Sequence, residues 1–348
     1  MKTQKTVKFL SLLAIASFAL TSCSDDDDNR MDMPMAEVST KIYTSNNANG
    51  NIDEINVSDM SNVESKTLIT ASTAADGVYY DSKSDAVFQA SRSNLSLEGF
   101  SNVSMISSGT NVSIDFTGTA DMTSPREVAV NGEFYVVADN SDVDGDTNTP
   151  DGRLFIYQKS GSNFTLRNTI TTNFKLWGIT FAGSDLYAIV DVTDQLAVFN
   201  NFLSNTSDAT VMATKTVSVE GIVRTHGLAY DMDADVMVLT DIGVASGTPT
   251  SASDGGFHVI SNFSTKFNTI NNGGTLAMSS QIRVAGSNTM LGNPVDVAYD
   301  SMTETVYIAE AANGKILAFN NISSGGGNLT PVLDYDLASA SAVYLSKR

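Results

Sequence analysis

The stretch Asn293-Pro294-Val295-Asp296-Val297-Ala298-Tyr299-Asp300 decides the fold, because the chain repeats its pattern elsewhere. Its best echo is His226-Gly227-Leu228-Ala229-Tyr230-Asp231. Weaker copies are Asp76-Gly77-Val78-Tyr79-Tyr80-Asp81, Arg126-Glu127-Val128-Ala129-Val130 and Trp177-Gly178-Ile179-Thr180-Phe181. Anchored on the first apolar position, the copies begin at 78, 128, 179, 228 and 297, at spacings of 50, 51, 49 and 69. A hairpin follows each anchor, as in Leu186-Tyr187-Ala188-Ile189 with Leu196-Ala197-Val198-Phe199, and Thr305-Val306-Tyr307-Ile308 with Lys315-Ile316-Leu317-Ala318-Phe319. Near the start, Lys41-Ile42-Tyr43-Thr44 and Ile52-Asp53-Glu54-Ile55 form the same hairpin with no anchor before it. The missing anchor is at the other end: Ser341-Ala342-Val343-Tyr344-Leu345 has its pattern, 46 residues after the last one.

Counting it gives six units, one of them split between the chain ends. Repeats of about 40–50 residues with four short strands are the mark of propeller blades. Blades are covered on both faces by their neighbours, so their strands carry continuous apolar runs instead of clean alternation. Phe134 to Val137 and Leu196 to Phe199 are such runs. Turn residues such as Asn131-Gly132 and Ala312-Asn313-Gly314 punctuate the strands. The expectation is an all-β chain: a six-bladed β-propeller over residues 38–348, its first blade closed by the C-terminal strand. A β-sandwich or two stacked β-domains is the competing arrangement. The repeat resembles six-bladed propellers of the NHL and YVTN type, a likeness that implies a fold and no activity.

Composition narrows the function. The formal net charge is −19, with 39 acids against 20 Lys and Arg. Nucleic acid is excluded as a partner, since phosphate binding needs clustered cations. Cys23 is the sole cysteine. Lys2, Lys5 and Lys8, an apolar run from Val7 to Leu20, and Thr21-Ser22 precede it, the order of a secretory signal. That run is shorter than the roughly 20 residues a bilayer span needs. The pattern resembles a bacterial lipoprotein signal, and Ser24-Asp25-Asp26-Asp27-Asp28 resembles the acidic export signal of surface lipoproteins in the Bacteroidota. The resemblance implies a signal peptide at 1–22, lipidation (palmitate) of Cys23, a disordered acidic tether at 23–37, and attachment to the outer membrane at the cell surface.

Propeller geometry places inter-blade connections and middle hairpin loops on one face. Three insertions are expected there: Ala138 to Gly152, Ile242 to Gly255 and Asn268 to Leu291. Loops of this length are commonly functional. The candidate ligand-binding residues at the channel mouth on that face are Asp76, Arg126, Glu127, Trp177, His226 and Asp296, a mixture suited to a polar ligand that stacks on Trp177. Within the loop 139–152, Asp142, Asp144, Asp146, Asn148 and Asp151 are candidate ligands for Ca2+, which takes six to eight oxygens. The loop departs from the EF-hand pattern: its glycine comes early and no glutamate closes it.

Catalytic motifs are missing. The two histidines sit in no nucleophile or paired-histidine pattern, and His258 reads as a strand residue. The expected function is a binding or interaction module for a protein or glycan partner. The alternatives are a structural subunit of an outer-membrane complex, or a calcium-dependent hydrolase like the lactonases built on six-bladed propellers. In the last case Glu127, Asp296 and Asn293 would imitate the metal ligands in the channel.

Overall fold

All six anchors lie on the first strand of a separate sheet, and the six first strands surround a central channel. The computed structural model describes residues 39–161, 163–244 and 254–347. Cys23, the leader and the tether lie outside the described residues, as does the middle of the loop 242–255.

Each sheet is an antiparallel meander of four main strands. Blade 2 runs Ala75–Asp81, Ala86–Ser91, Ser96–Ser101 and Phe116–Thr117. Blade 3 runs Pro125–Asn131, Phe134–Asp139, Gly152–Ser160 and Asn163–Thr172. Blade 4 runs Leu176–Ala182, Asp185–Val190, Gln195–Phe199 and Lys215–Val219. Blade 5 runs Leu228–Asp231, Val236–Asp241, Gly256–Ser261 and Ile282–Ala285. Blade 6 runs Pro294–Asp300, Thr305–Glu310, Lys315–Phe319 and Leu333–Asp336. Blade 1 takes Ala340–Lys347 as its inner strand, then Thr40–Asn46, Ile52–Asn56 and Glu64–Ile69. The closing pair is antiparallel, with Ile42 opposite Leu345, Tyr43 opposite Tyr344 and Thr44 opposite Val343. The ring therefore closes as the sequence implies.

Packing follows the same sixfold logic. There are six apolar clusters, one at each blade interface. At the seam between blades 1 and 2, Tyr43 stacks on Tyr80 with ring centroids 4.2 Å apart. Burial of one such side chain contributes about 1.5–3 kcal/mol.

A local signature recurs after the third strand of four blades. Asn102, Asn201, Asn262 and Asn321 take left-handed φ of 48–55° and lead into the buried Val103, Phe202, Phe263 and Ile322. Asparagine tolerates that conformation better than other residues with a Cβ. The turn aims each apolar side chain into the seam. In blades 2, 4 and 5 the next backbone N–H bonds the end of the first hairpin, as in Phe202 N to Ser184 O at 3.0 Å.

The connection from third to fourth strand also reaches back to the preceding blade. Thr110–Asn111, Ala209–Thr210 and Thr275–Leu276 each pair in parallel with the outer strand of blades 1, 3 and 4. These straps cover edges that would otherwise invite aggregation. They also correct one expectation. The stretch 268–291 is no single insertion on the looped face: it holds a strap and the fourth strand of blade 5, and only residues 286–293 connect to blade 6.

Candidate functional site

Aligning the inner strands by their anchors divides the channel neck into layers. The anchors Val78, Val128, Ile179, Leu228, Val297 and Val343 form an apolar ring. One residue earlier stand Gly77, Glu127, Gly178, Gly227, Asp296 and Ala342. Two earlier stand Asp76, Arg126, Trp177, His226, Val295 and Ser341. The six residues expected at the mouth thus fall into two layers. Asp76, Arg126, Trp177 and His226 are outer, while Glu127 and Asp296 lie one residue deeper.

Glycine at the deeper layer is required by close approach. A Cβ on Gly178 would stand 2.4 Å from the His226 carbonyl oxygen, and one on Gly227 would stand 2.5 Å from the Asp296 Cα. The strands converge at this level, and the small residues leave room for the two acids.

The outer layer is one connected chain. Arg126 Nη1 donates to Asp76 Oδ2 at 2.9 Å, and Asn47 Nδ2 donates to Asp76 Oδ1 at 2.7 Å. The Arg126 guanidinium lies 4.1 Å from the centre of the Trp177 ring, a cation–π contact. On Trp177 the His226 ring stacks at 3.5 Å and 4°. His226 Nε2 is 3.3 Å from Asp191 Oδ1, the same oxygen that receives Arg224 Nη2 at 2.7 Å. Asn140 Nδ2 donates to Asp191 Oδ2 at 2.8 Å.

Asp191 is the hub that sequence reasoning missed. It stands one residue past the second strand of blade 4: the register that carries Asp139, Asp241 and Glu310 in blades 3, 5 and 6 is held here by Val190. Those acids bind backbone: Asp139 accepts from Thr123 and Ser124 N–H, Asp241 from Val223 and Arg224, and Glu310 from Gly292, Asn293 and Ala312, with Arg153 Nη2 also on Asp139 at 2.6 Å. Asp191 takes one neighbouring amide, that of Val192, and otherwise gathers side chains from blades 3 and 5. Val192 holds φ +66°, rare for a β-branched residue, and its side chain is exposed.

Electrostatics separates the layers. Burial alone would raise the Asp191 carboxyl, but His226 and the donors from Asn140 and Arg224 outweigh it and hold the group well below the usual carboxylate range. Burial pulls His226 down to about 4 against the pull of Asp191, so the imidazole is neutral at pH 7. In the deeper layer burial pushes Glu127 and Asp296 upward. The mutual charge raises Glu127 further, and backbone N–H donors from Val343 and Val297 restrain Asp296 only partly. They come from opposite blades of the ring, and both are pushed toward the protonated form.

Several buried polar atoms around the outer layer have no hydrogen-bond partner among the described residues: Asn47 Oδ1, Arg126 Nε, Thr225 Oγ1, His226 Nδ1 and Nε2, and Asn293 Oδ1. Buried polar atoms are nearly always satisfied, so a cluster of exceptions calls for a ligand or ordered water.

The acidic loop lies beside this network on blade 3. Asp142, Asp144 and Asp151 bring carboxylate oxygens within 4.8 Å of one another. Asp146 turns away, and its Oδ1 accepts both the backbone N–H and the side-chain amide of Asn148. Three of the five expected ligands are therefore gathered. His258 is a core residue, its Nδ1 2.7 Å from Gln281 Oε1.

These features define a six-bladed β-propeller with a polar network across one end of its channel. No protein-family model matches the chain, and no curated protein matches it. Among solved structures, the chain is similar to one from a nidogen/laminin complex, at TM-score 0.55 and 11% identity over 88% of this chain and 98% of that one. A putative 6-phosphogluconolactonase from Bacteroides fragilis gives TM-score 0.54 and 10% identity over 88% and 98%. The WD40 β-propeller domain of Doa1 gives 0.50 and 8% over 87% and 81%. At these identities the likeness is one of fold.

Proposed function

We propose that the protein is a lipid-anchored surface propeller whose looped face binds a partner, a protein or a glycan, at the outer layer of the channel neck. One observation carries the reading: unpartnered buried polar atoms surround Trp177, a half-buried ring already flanked by Arg126 and His226. Arg126 and His226 occupy the faces of that ring and leave none for a ligand to stack on; the site offers the ring edge with unused donors and acceptors, the composition of a polar ligand site. Exposed Val192 and Val223 flank the Asp191–Arg224 pair and extend the patch outward. The anchor and the address rest on the run that ends at Cys23.

The hydrolase alternative finds less support. Glu127 and Asp296 are a pair, and the one cluster of three metal-type acidic ligands among the described residues is Asp142, Asp144 and Asp151. The test has two arms. Cys23→Ser should release the protein from membranes and abolish palmitate labelling. Wild-type protein should recover a stoichiometric partner from membranes or bind a defined glycan on an array, and Trp177→Ala with Asp191→Asn should lose that binding while still unfolding in one cooperative transition, at a lower midpoint. Binding retained by the double variant would move the site elsewhere.

A further inference from the structure

The outer network accounts for one end of the channel. The space on the other side of the acid pair is a separate cavity of about 410 Å³, within the range of small-molecule sites. Its lining begins at Glu127 and Asp296, passes the aliphatic anchor ring, and ends at Tyr79, Phe181, Tyr230, Tyr299 and Tyr344. Those five rings are half-buried. The mouth is thus on the face away from the long loops. A second hollow of about 310 Å³ adjoins it at Tyr230 and Tyr299, with Asp231 and Asp233 on its rim.

We propose that this cavity binds a primary ammonium group carried on an apolar or aromatic body, with the ammonium seated on Glu127 and Asp296.

The walls decide among ligand classes. A hard cation needs six or more oxygens, and the layer below the acids is entirely aliphatic. A sugar needs many hydrogen bonds, which that ring cannot supply. An ammonium needs only a few acceptors and tolerates apolar walls around the rest of its molecule. The aromatic mouth favours an entering cation through cation–π attraction. Rim acids and the net charge of −19 draw cations toward it. Among the described residues no lysine or arginine pairs with Glu127 or Asp296. The charge the pair retains is left for a ligand.

Calorimetry with the chain from Cys23 onward, using phenethylammonium chloride against its neutral isostere 2-phenylethanol, tests the idea. One equivalent of the amine should bind, about 10-fold or more tighter than the alcohol, as expected for hydrogen bonds to a charged group. Glu127→Gln with Asp296→Asn should erase that preference. Tyr230→Ala should weaken the amine, while Trp177→Ala, beyond the acids, should not. No binding of the amine, or equal binding of amine and alcohol, overturns the proposal without any variant. Undiminished amine binding by a folded double amide, or a larger loss in Trp177→Ala than in Tyr230→Ala, overturns it as well.

Discussion

Two acid sites meet at the channel neck, Glu127 with Asp296 on the inner ring of strands and Asp191 just past the second strand of blade 4, and they hold their charge in opposite ways. In the outer layer Asp191 is buried against His226, with donors from Asn140 and Arg224, and stays ionised. On the inner strands the half-buried Glu127 and the buried Asp296 stand among glycines and aliphatic side chains, and both are pushed toward the protonated form. Depth does not decide the state of a buried acid; the donors that reach it do. The outer layer is a fixed electrostatic surface and the inner one a place where a proton or cation can be exchanged.

The largest expected effect breaks the outer layer at Arg126. Arg126→Ala leaves Asp76 without its closest cation and Trp177 without its cation–π partner. Arg92 stands farther off, at 3.6 Å. A broken buried pair costs about 3–5 kcal/mol, and urea unfolding at neutral pH should show a loss near the lower figure. A loss below about 1 kcal/mol, the level of a surface pair, would mean that water compensates the site.

Next in size is the pH dependence, where the two layers pull in opposite directions. Folded His226 titrates at about 4, against the ordinary 6.5. Between those values the unfolded chain binds a proton that the folded one refuses, so this group makes stability rise with pH from 4 to 6.5. The contribution is about 3 kcal/mol across the window. The inner acids are raised. The folded state keeps a proton that the unfolded one has lost, so their contribution to stability falls as pH rises from the carboxylate range toward 7. His226→Gln should flatten the rise. Glu127→Gln with Asp296→Asn should remove the fall and stabilise the protein at pH 7 by about 1–2 kcal/mol. Parallel profiles for wild type and both variants would show that the layers are not distinct.

Much of this was legible in sequence because repeats mark equivalent positions. The anchors, the six blades and the closing strand follow from apolar runs at fixed spacing, and four outer-layer residues were readable as the positions before each anchor. Their division into two layers was not, since it depends on counting Glu127 and Asp296 one residue closer to their anchors. Asp191 was hidden for a different reason. It lies one residue past the register of Asp139, Asp241 and Glu310, in the turn after the second strand, where the other blades carry no equivalent acid. Only the three-dimensional neighbours Asn140 and Arg224 distinguish it. The stretch 268–291 was misread because a strap pairs with the preceding blade, a long-range contact that leaves no periodic trace.

The acidic loop of blade 3 supplies the third environment and the smallest expected effect on stability. Its carboxylates are neither deeply buried nor tightly paired: the nearest cation, Lys175, is 4.0 Å from Asp142. Asp144 and Asp146 are chemically identical and two residues apart, but only Asp144 joins Asp142 and Asp151. Asp146 is occupied by Asn148. If repulsion among the three is relieved by calcium, titration calorimetry should give one binding heat for wild type. Asp144→Asn should abolish it, Asp146→Asn should leave it nearly intact, and both should unfold within about 0.5 kcal/mol of wild type, as surface substitutions do. Equal loss in the two variants would mean that the loop rearranges to bring all five candidate ligands together, and no heat in wild type would remove the site.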